Sequence, residues 1–277
     1  MIKRTLCILT AALLSACGGG GSDSPAPSTS IKNPTLSFYG NPLGGPVAKS
    51  SAKAATDVAS DASAATAPVS ASDAAAQTVA TLQDALAAQG VTATVTPQVM
   101  DGTTLHALIM GENNGLPPTD DQFKADPSGF VVANFVIDDM VTPSNDPNQQ
   151  AALAQFQQDV YTYVQRMHVA GKLVFLIQPI QTCDVPNVAN ASLGALGAHS
   201  AADGVAGAIS KAATAAGGFP VGGLPATYVT DPNTYVVTNT YTEGHLGADC
   251  RTPDAWLNQQ WINAIATPIA AAMKQGT

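Results

Sequence analysis

The feature that most constrains the fold is an almost uninterrupted apolar run over residues 130–137. A strand with one face in water alternates apolar and polar residues, whereas a strand buried on both faces does not. A second run of the same character covers residues 173–177. Both segments are therefore predicted to be inner strands of a parallel sheet, which needs helices on both of its faces.

The segments around these two runs alternate in type along the chain. Shorter strands are predicted at residues 36–39, 91–95 and 235–237, and amphipathic helices at residues 73–89, 148–170 and 253–274. The last helix is predicted to start at Pro253 behind Thr252 as N-cap. The alanine- and glycine-rich residues 192–218 are expected to form a loosely packed helix. We therefore predict an α/β fold, a three-layer αβα sandwich around a flavodoxin-like parallel sheet of about five strands.

The N-terminus has the features of an export signal. Lys3 and Arg4 precede an apolar stretch that is too short to span a bilayer. The stretch ends at residues 14–17, Leu-Ser-Ala-Cys, which resembles the lipobox of bacterial lipoproteins. The resemblance implies cleavage before Cys17 and acylation of its thiol; an ordinary secretory signal is the alternative. Gly18 in place of aspartate points, by the same resemblance, to the outer membrane of a Gram-negative bacterium, on its periplasmic side or its surface.

These segments give a simple domain organisation. Residues 1–16 are predicted to be the signal peptide, and residues 17–33, rich in glycine, serine and proline, a flexible tether. Residues 34–277 are expected to form one domain, with a low-complexity insertion near residues 49–72. A lipid on Cys17 would attach this domain to the membrane without a transmembrane helix.

Charge and cysteine content narrow the function classes. The chain has 11 basic and 20 acidic side chains, and removal of the leader takes two of the basic ones. Without a basic patch, nucleic acid is not expected as a partner, and no cofactor is expected. Cys7 leaves with the leader and Cys17 carries lipid, so Cys183 and Cys250 remain. An oxidising periplasm favours a disulfide between them, with free thiols or a metal site as alternatives.

Two stretches in the amino-terminal half of the chain resemble motifs of the SGNH (GDSL-type) ester hydrolases. In that family a serine nucleophile follows the first strand in a Gly-Asp-Ser turn. Here Gly40 is retained, but Asn41 stands at the aspartate position and Pro42 at the serine position. Proline has neither a hydroxyl nor a backbone N–H to offer an oxyanion. The second motif supplies a glycine N–H, and Gly102 matches it, although a plain turn would have the same sequence.

Two further stretches resemble the other motifs of the family. The third motif, Gly-x-Asn-Asp, has Asp138 at the asparagine position, so a carboxylate stands where an amide donor is needed. The fourth, Asp-x-x-His-Pro, keeps the acid as Asp249 and the proline as Pro253, but Thr252 replaces the histidine base. The resemblance therefore implies the SGNH scaffold without its nucleophile, oxyanion amide and base.

Other groups near the same motifs leave alternatives open. His245 lies four residues before Asp249 and could serve as a substitute base oriented by it, or could simply be a solvated loop histidine. Asp138, Asp139 and Asp249 could hold a cation, although such carboxylates are as often solvated or helix-capping.

Three functions are therefore compatible with the sequence. The first is a lipid-anchored, catalytically inactive envelope protein that binds a ligand or partner at the altered cleft. The second is an acyl or acetyl esterase acting on envelope glycan or lipid esters. The third is a structural envelope lipoprotein whose cleft has no role.

Overall fold

The computed structural model describes residues 33–44, 70–112, 116–182, 200–225, 228–230, 232–233, 237–242 and 244–275. The leader, the lipidation site Cys17 and nearly all of the tether lie outside the described residues. So do Cys183 and most of the expected insertion near residues 49–72. The predictions made for these segments therefore stay predictions.

Twelve elements occur within the described ranges. In chain order they are β1 Thr35–Gly40, α1 Ala71–Ala88, β2 Thr94–Pro97, α2 Leu105–Met110, β3 Phe130–Asn134, α3 Pro147–Val169, β4 Leu173–Ile177, α4 Ala201–Ala216, β5 Phe219–Val221, β6 Tyr228–Thr230, β7 Val237–Asn239 and α5 Ala255–Lys274. The first five strands form one sheet in the order β2-β1-β3-β4-β5, and every pair in it is parallel. The predicted flavodoxin-like sheet of five parallel strands is confirmed.

The two faces of the sheet are covered by different helices. Leu36 and Phe38 of β1 belong to the apolar cluster that includes α1 and α5. Tyr39 of the same strand belongs to the second cluster, which includes α2, α3 and α4. Neighbouring residues of a strand point to opposite faces, so β1 contributes to both layers. The three-layer αβα arrangement follows.

The fifth strand and the last helix differ from the sequence-based expectation. The strand next to β4 is β5, directly after α4, and not the predicted segment at residues 235–237. Residues 237–239 instead form β7, which pairs antiparallel with β6 outside the main sheet. Helix α5 begins at Ala255 with Asp254 as its N-cap, so Thr252 is not the cap. β5 follows α4 after a short connection, and this connection returns the chain to the edge of the sheet next to β4.

Helix α4 is well packed, contrary to the loose packing expected for its region. Val205, Ile209 and Ala213 on one of its faces are at most 2% exposed. Small residues let it approach α3 closely, since a Cβ on Gly204 would lie 2.6 Å from Leu153. Alanine and glycine thus serve close helix packing here, and not mobility.

A buried polar cluster joins β1 to the segments that precede β3 and β4. The Ser37 hydroxyl donates to Asp126 at 2.8 Å, and the Tyr39 hydroxyl donates to the other oxygen of that carboxylate at 2.9 Å. Lys172, just before β4, donates to the backbone carbonyls of Asp126 and Ser128. Burial, followed by the Asp126 charge, raises the pKa of Tyr39.

No helix within the described ranges combines the length and apolar character needed to cross a bilayer.

Candidate functional site

The turn after β1 is closed by a pair of hydrogen bonds to the end of β3. The Asn41 N–H donates to the Asn134 carbonyl at 2.6 Å, and the Asn134 side-chain amide donates back to the Asn41 carbonyl at 2.8 Å. Gly40 has a φ of +94°, and a Cβ there would lie 2.3 Å from the Asn134 carbonyl oxygen. Only glycine fits this approach. The turn is therefore a tight structural junction between two neighbouring strands.

The next two residues turn inward toward α1. Pro42 is buried, and the Leu43 N–H donates to the Thr78 hydroxyl at 3.0 Å. Leu43 itself is only 4% exposed. Where a serine hydrolase presents an exposed hydroxyl on this turn, this chain packs a proline ring into the protein.

The amide nearest the β1 turn belongs to Asn134, which the sequence comparison with the SGNH motifs did not identify. Asn134 is the last residue of β3, pairs with Gly40 in the sheet and is 6% exposed. Asp138 lies four residues further along the chain and is exposed. A polar amide at the end of an otherwise apolar strand was the signal that could have indicated Asn134.

Asp249 serves a tight turn of its own segment. Its Oδ1 accepts the N–H groups of Arg251 and Thr252, each at 3.0 Å, and its Oδ2 accepts the Thr252 hydroxyl at 2.6 Å. These bonds, the Thr252 hydroxyl first, lower the pKa of Asp249 to about 2. The carboxylate is therefore held as an anion by Thr252, the residue at the expected histidine position.

The same turn occurs a second time, after β3. Residues 139–143 read Asp-Met-Val-Thr-Pro and residues 249–253 read Asp-Cys-Arg-Thr-Pro. Asp139 accepts from the N–H groups of Val141 and Thr142 at 2.9 Å and from the Thr142 hydroxyl at 2.6 Å. Two copies with the same bonds identify Asp-x-x-Thr-Pro as a turn-forming sequence in this protein, independent of any catalytic role.

The two turns lie within electrostatic reach of each other. Hydrogen bonds from Thr142 and Val141 lower the pKa of Asp139, and the Arg251 guanidinium adds to the effect. The Asp139 turn follows β3, so it lies beyond the carboxyl edge of the sheet. Such an edge is where ligands bind in folds of this type.

Gly102 lies in a third turn, after β2. It is exposed and has a φ of +88°. The neighbouring Asp101 carboxylate accepts both the N–H and the hydroxyl of Thr103, at 3.0 and 2.6 Å. These bonds are those of a plain turn, which was the alternative for this stretch.

His245 pairs with Asp254 and not with Asp249. Its Nδ1 lies 2.8 Å from Asp254 Oδ2, while Asp254 Oδ1 accepts the Leu257 N–H as the N-cap of α5. The His245 carbonyl also accepts the Asp254 N–H at 2.8 Å. In the structure Asp254, and not the Asp249 named in the substitute-base alternative, holds this histidine, and Asp249 accepts from Thr252.

His245 also stacks on an exposed tryptophan. The ring centroids of His245 and Trp256 are 4.1 Å apart with planes inclined by 28°. Tyr241 approaches the same indole, with centroids 5.6 Å apart. Trp256 is 43% exposed. Neither aromatic partner was singled out from the sequence.

Cys250 occupies a left-handed position in the Asp249 turn, with a φ of +57°, and it is disulfide-bonded. Because Cys183 lies outside the described residues, the pairing of these two cysteines stays a prediction. Among the described residues, no group of three or more histidine, cysteine, aspartate or glutamate side chains is arranged to hold a metal ion.

Comparisons with known proteins give structural likenesses only. No family model matches the sequence, and no curated protein matches it. An acetyl-xylooligosaccharide esterase variant from Geobacillus is 14% identical, with 85% of this chain and 94% of that chain covered and a TM-score of 0.46. TesA is 17% identical, with 86% and 99% covered and a TM-score of 0.44.

An alpha/beta hydrolase enzyme from the metagenome of Lake Arreo, Spain, is 13% identical, with 87% of this chain and 94% of that chain covered and a TM-score of 0.46. At identities and TM-scores this low, these likenesses carry no conclusion about substrate or activity.

Proposed function

We propose that this protein is a lipid-anchored envelope protein whose α/β domain has the SGNH-hydrolase scaffold without ester-hydrolase activity, and that it binds a ligand at the carboxyl edge of the sheet. One observation carries the proposal. The turn that would hold a nucleophilic serine has Pro42 buried and is tied to β3 by Asn41 and Asn134.

The state of the other motif residues supports the loss of chemistry. An oxyanion needs donors that are free to turn toward it, but the Asn134 amide donates to the Asn41 carbonyl. A triad acid must contact its histidine, but Asp249 contacts Thr252. One N–H of the Asn134 amide and the Asp249 carboxylate are thus both used within structural junctions, and Pro42 has no hydroxyl to act as a nucleophile.

Attachment to the membrane is proposed from the leader alone. Residues 14–17 resemble a lipobox, and Gly18 follows the acceptor cysteine. We expect mature protein to begin at Cys17 and to fractionate with the outer membrane. Mass spectrometry of the mature N-terminus tests this, with Cys17→Ala as the variant that should lose the lipid. A mature chain that starts elsewhere would contradict the anchoring.

The inactivity is tested by hydrolysis of short-chain nitrophenyl esters. The purified domain should turn these esters over no faster than a His245→Ala variant of the same domain. A matched control is His168→Ala, an exposed histidine at the end of α3. Turnover that is lost in His245→Ala and kept in His168→Ala would overturn the proposal.

That outcome would support the second candidate, an ester hydrolase that uses His245 as base. The observation in its favour is the His245–Asp254 pair at 2.8 Å. A carboxylate on Nδ1 leaves Nε2 to take a proton, which is the arrangement of a general-base histidine. Within the described residues, however, no serine hydroxyl hydrogen-bonds to His245, so a nucleophile is not supplied.

A further inference from the structure

Tyr241, His245 and Trp256 form a small aromatic surface, here called the aromatic platform, at the amino end of α5. Trp256 is 43% exposed, while its helix neighbours Leu257 and Trp261 are buried at 0% and 7%. The core of the domain therefore does not use Trp256. Trp and Tyr side chains are enriched at binding interfaces, because each has an apolar ring and one hydrogen-bonding group.

The platform is held in place before any ligand arrives. Asp254 fixes the imidazole of His245 through Nδ1 and fixes α5 through the Leu257 N–H. The backbone on either side is joined by the bridge between Leu246 and Pro253. Groups that are already ordered lose little conformational entropy on binding, which favours affinity even for a shallow site.

Polar groups border the aromatic surface. The Asp254 carboxylate is 46% exposed and lies beside an imidazole that is 35% exposed. An apolar ring surface next to carboxylate and imidazole groups suits a ligand with one apolar face and hydroxyls at its edge. A pyranose ring has this distribution, with C–H groups on its faces and hydroxyls around its perimeter.

We propose that the aromatic platform binds a neutral glycan chain, with a pyranose face against Trp256 and hydroxyls toward Asp254 and His245. This inference deepens the proposed function, because it names the ligand class of the same edge of the sheet. The charge of the protein supports a neutral ligand. The chain carries a net charge of −9, and Asp254, beside the platform, has a pKa lowered by the Leu257 N–H and then by His245.

Intrinsic fluorescence gives a selective readout, because the sequence has two tryptophans. Trp261 is buried and its indole N–H donates to the Gln178 carbonyl at 2.8 Å, so Trp256 is the indole a ligand can reach. Titration with chitotetraose and cellotetraose should shift the emission at millimolar concentrations. Tetragalacturonate, an acidic counterpart of similar size, should bind more weakly.

Calorimetric titration of variants tests whether the ring of Trp256 itself contributes to the affinity for the oligosaccharide. Trp256→Ala should weaken binding of the neutral oligosaccharide by about tenfold or more, and Trp256→Phe, which keeps an aromatic face, should retain part of the affinity. The matched control is Phe219→Ala, because Phe219 is an aromatic residue at the start of β5 that is 48% exposed. This variant should bind the oligosaccharide with the affinity of the native protein. Circular dichroism confirms that each variant is folded.

Three results would overturn the inference: no binding of any neutral oligosaccharide, binding unchanged in Trp256→Ala, or a Trp256 response to acyl-chain detergents alone. These outcomes differ from failure of the proposed function. Ester hydrolysis by the native chain would remove the proposed inactivity and leave glycan binding standing. A chain without hydrolysis and without glycan binding would keep the inactivity and remove the platform.

Discussion

At the scale of single residues, the carboxylate of Asp249 stabilises the turn that contains it. Three donors from Arg251 and Thr252 reach it. Because they lower its pKa to about 2, below the value of about 3.9 for an unfolded aspartate, this group stabilises the fold above about pH 4. The contribution is lost as the pH falls toward 2.

We therefore expect Asp249→Ala to lower the Tm at neutral pH, with the difference from the native chain shrinking between about pH 4 and pH 2. Thermal melts across this range measure the effect. Asp120→Ala, a change at an exposed aspartate of the loop before β3, serves as the control and should leave the Tm nearly unchanged. Equal melting of the native chain and Asp249→Ala at pH 7 would show that the turn does not need this carboxylate.

At the scale of elements, the junction of β1 and β3 depends on a close backbone approach. The φ of +94° at Gly40 is strained for any residue with a side chain, and the Asn134 carbonyl occupies the space of its Cβ. Gly129, just before β3, has open space around it and no positive φ. The two glycines are thus a matched pair that differs in steric requirement.

Gly40→Ala should destabilise the domain by about 2 kcal/mol or more. Gly129→Ala should change the free energy of unfolding by less than about 1 kcal/mol. Denaturant unfolding followed by circular dichroism compares the two variants with the native chain. Similar values for both would mean that the β1 turn is not the tight junction described above.

At the scale of the whole molecule, a buried cation joins the starts of two strands. The Lys172 side chain is 3% exposed and lies 3.9 Å from the Asp126 carboxylate, itself 5% exposed. Burial lowers the pKa of Lys172, and the Asp126 charge opposes that effect. Removing one partner of a buried pair leaves the other charge uncompensated, and here it also removes donors from two carbonyls.

Lys172→Met should therefore destabilise the domain by about 3 kcal/mol or more. Lys124→Met provides the control, because Lys124 and its partner Asp121 are both more than half exposed and such surface pairs contribute about 1 kcal/mol or less. Chemical denaturation of both variants gives the comparison. A Lys172→Met chain as stable as the native protein would show that the buried cluster can do without its cation.

Much of this architecture could be predicted from the sequence, because continuous apolar runs indicate buried strands. β4 has the predicted bounds, and the predicted helices overlap α1, α3 and α5. β5 was missed because Phe219, Pro220 and Val221 carry no strand pattern. Its place depends on α4, which lies before it in the chain.

The sequence predicted less of the candidate site than of the fold. Which donor a carboxylate accepts depends on contacts across the turn, so the sequence could not show that Asp249 is bound to Thr252 or that Asp254 holds His245. Likewise, Asn134 reaches the β1 turn through sheet register. The repeat of Asp-x-x-Thr-Pro was present in the sequence, and it could have indicated a turn-forming role.

We propose above that this domain has no working serine nucleophile. The most direct test is to treat the purified native domain with a fluorophosphonate, which phosphonylates activated serines, and to read the intact mass. We predict an unmodified mass, because Pro42 stands where the resemblance to the SGNH motif would place the serine and Ser37 is buried at 0% exposure. A single phosphonyl adduct that maps to a serine of the folded domain would contradict the account.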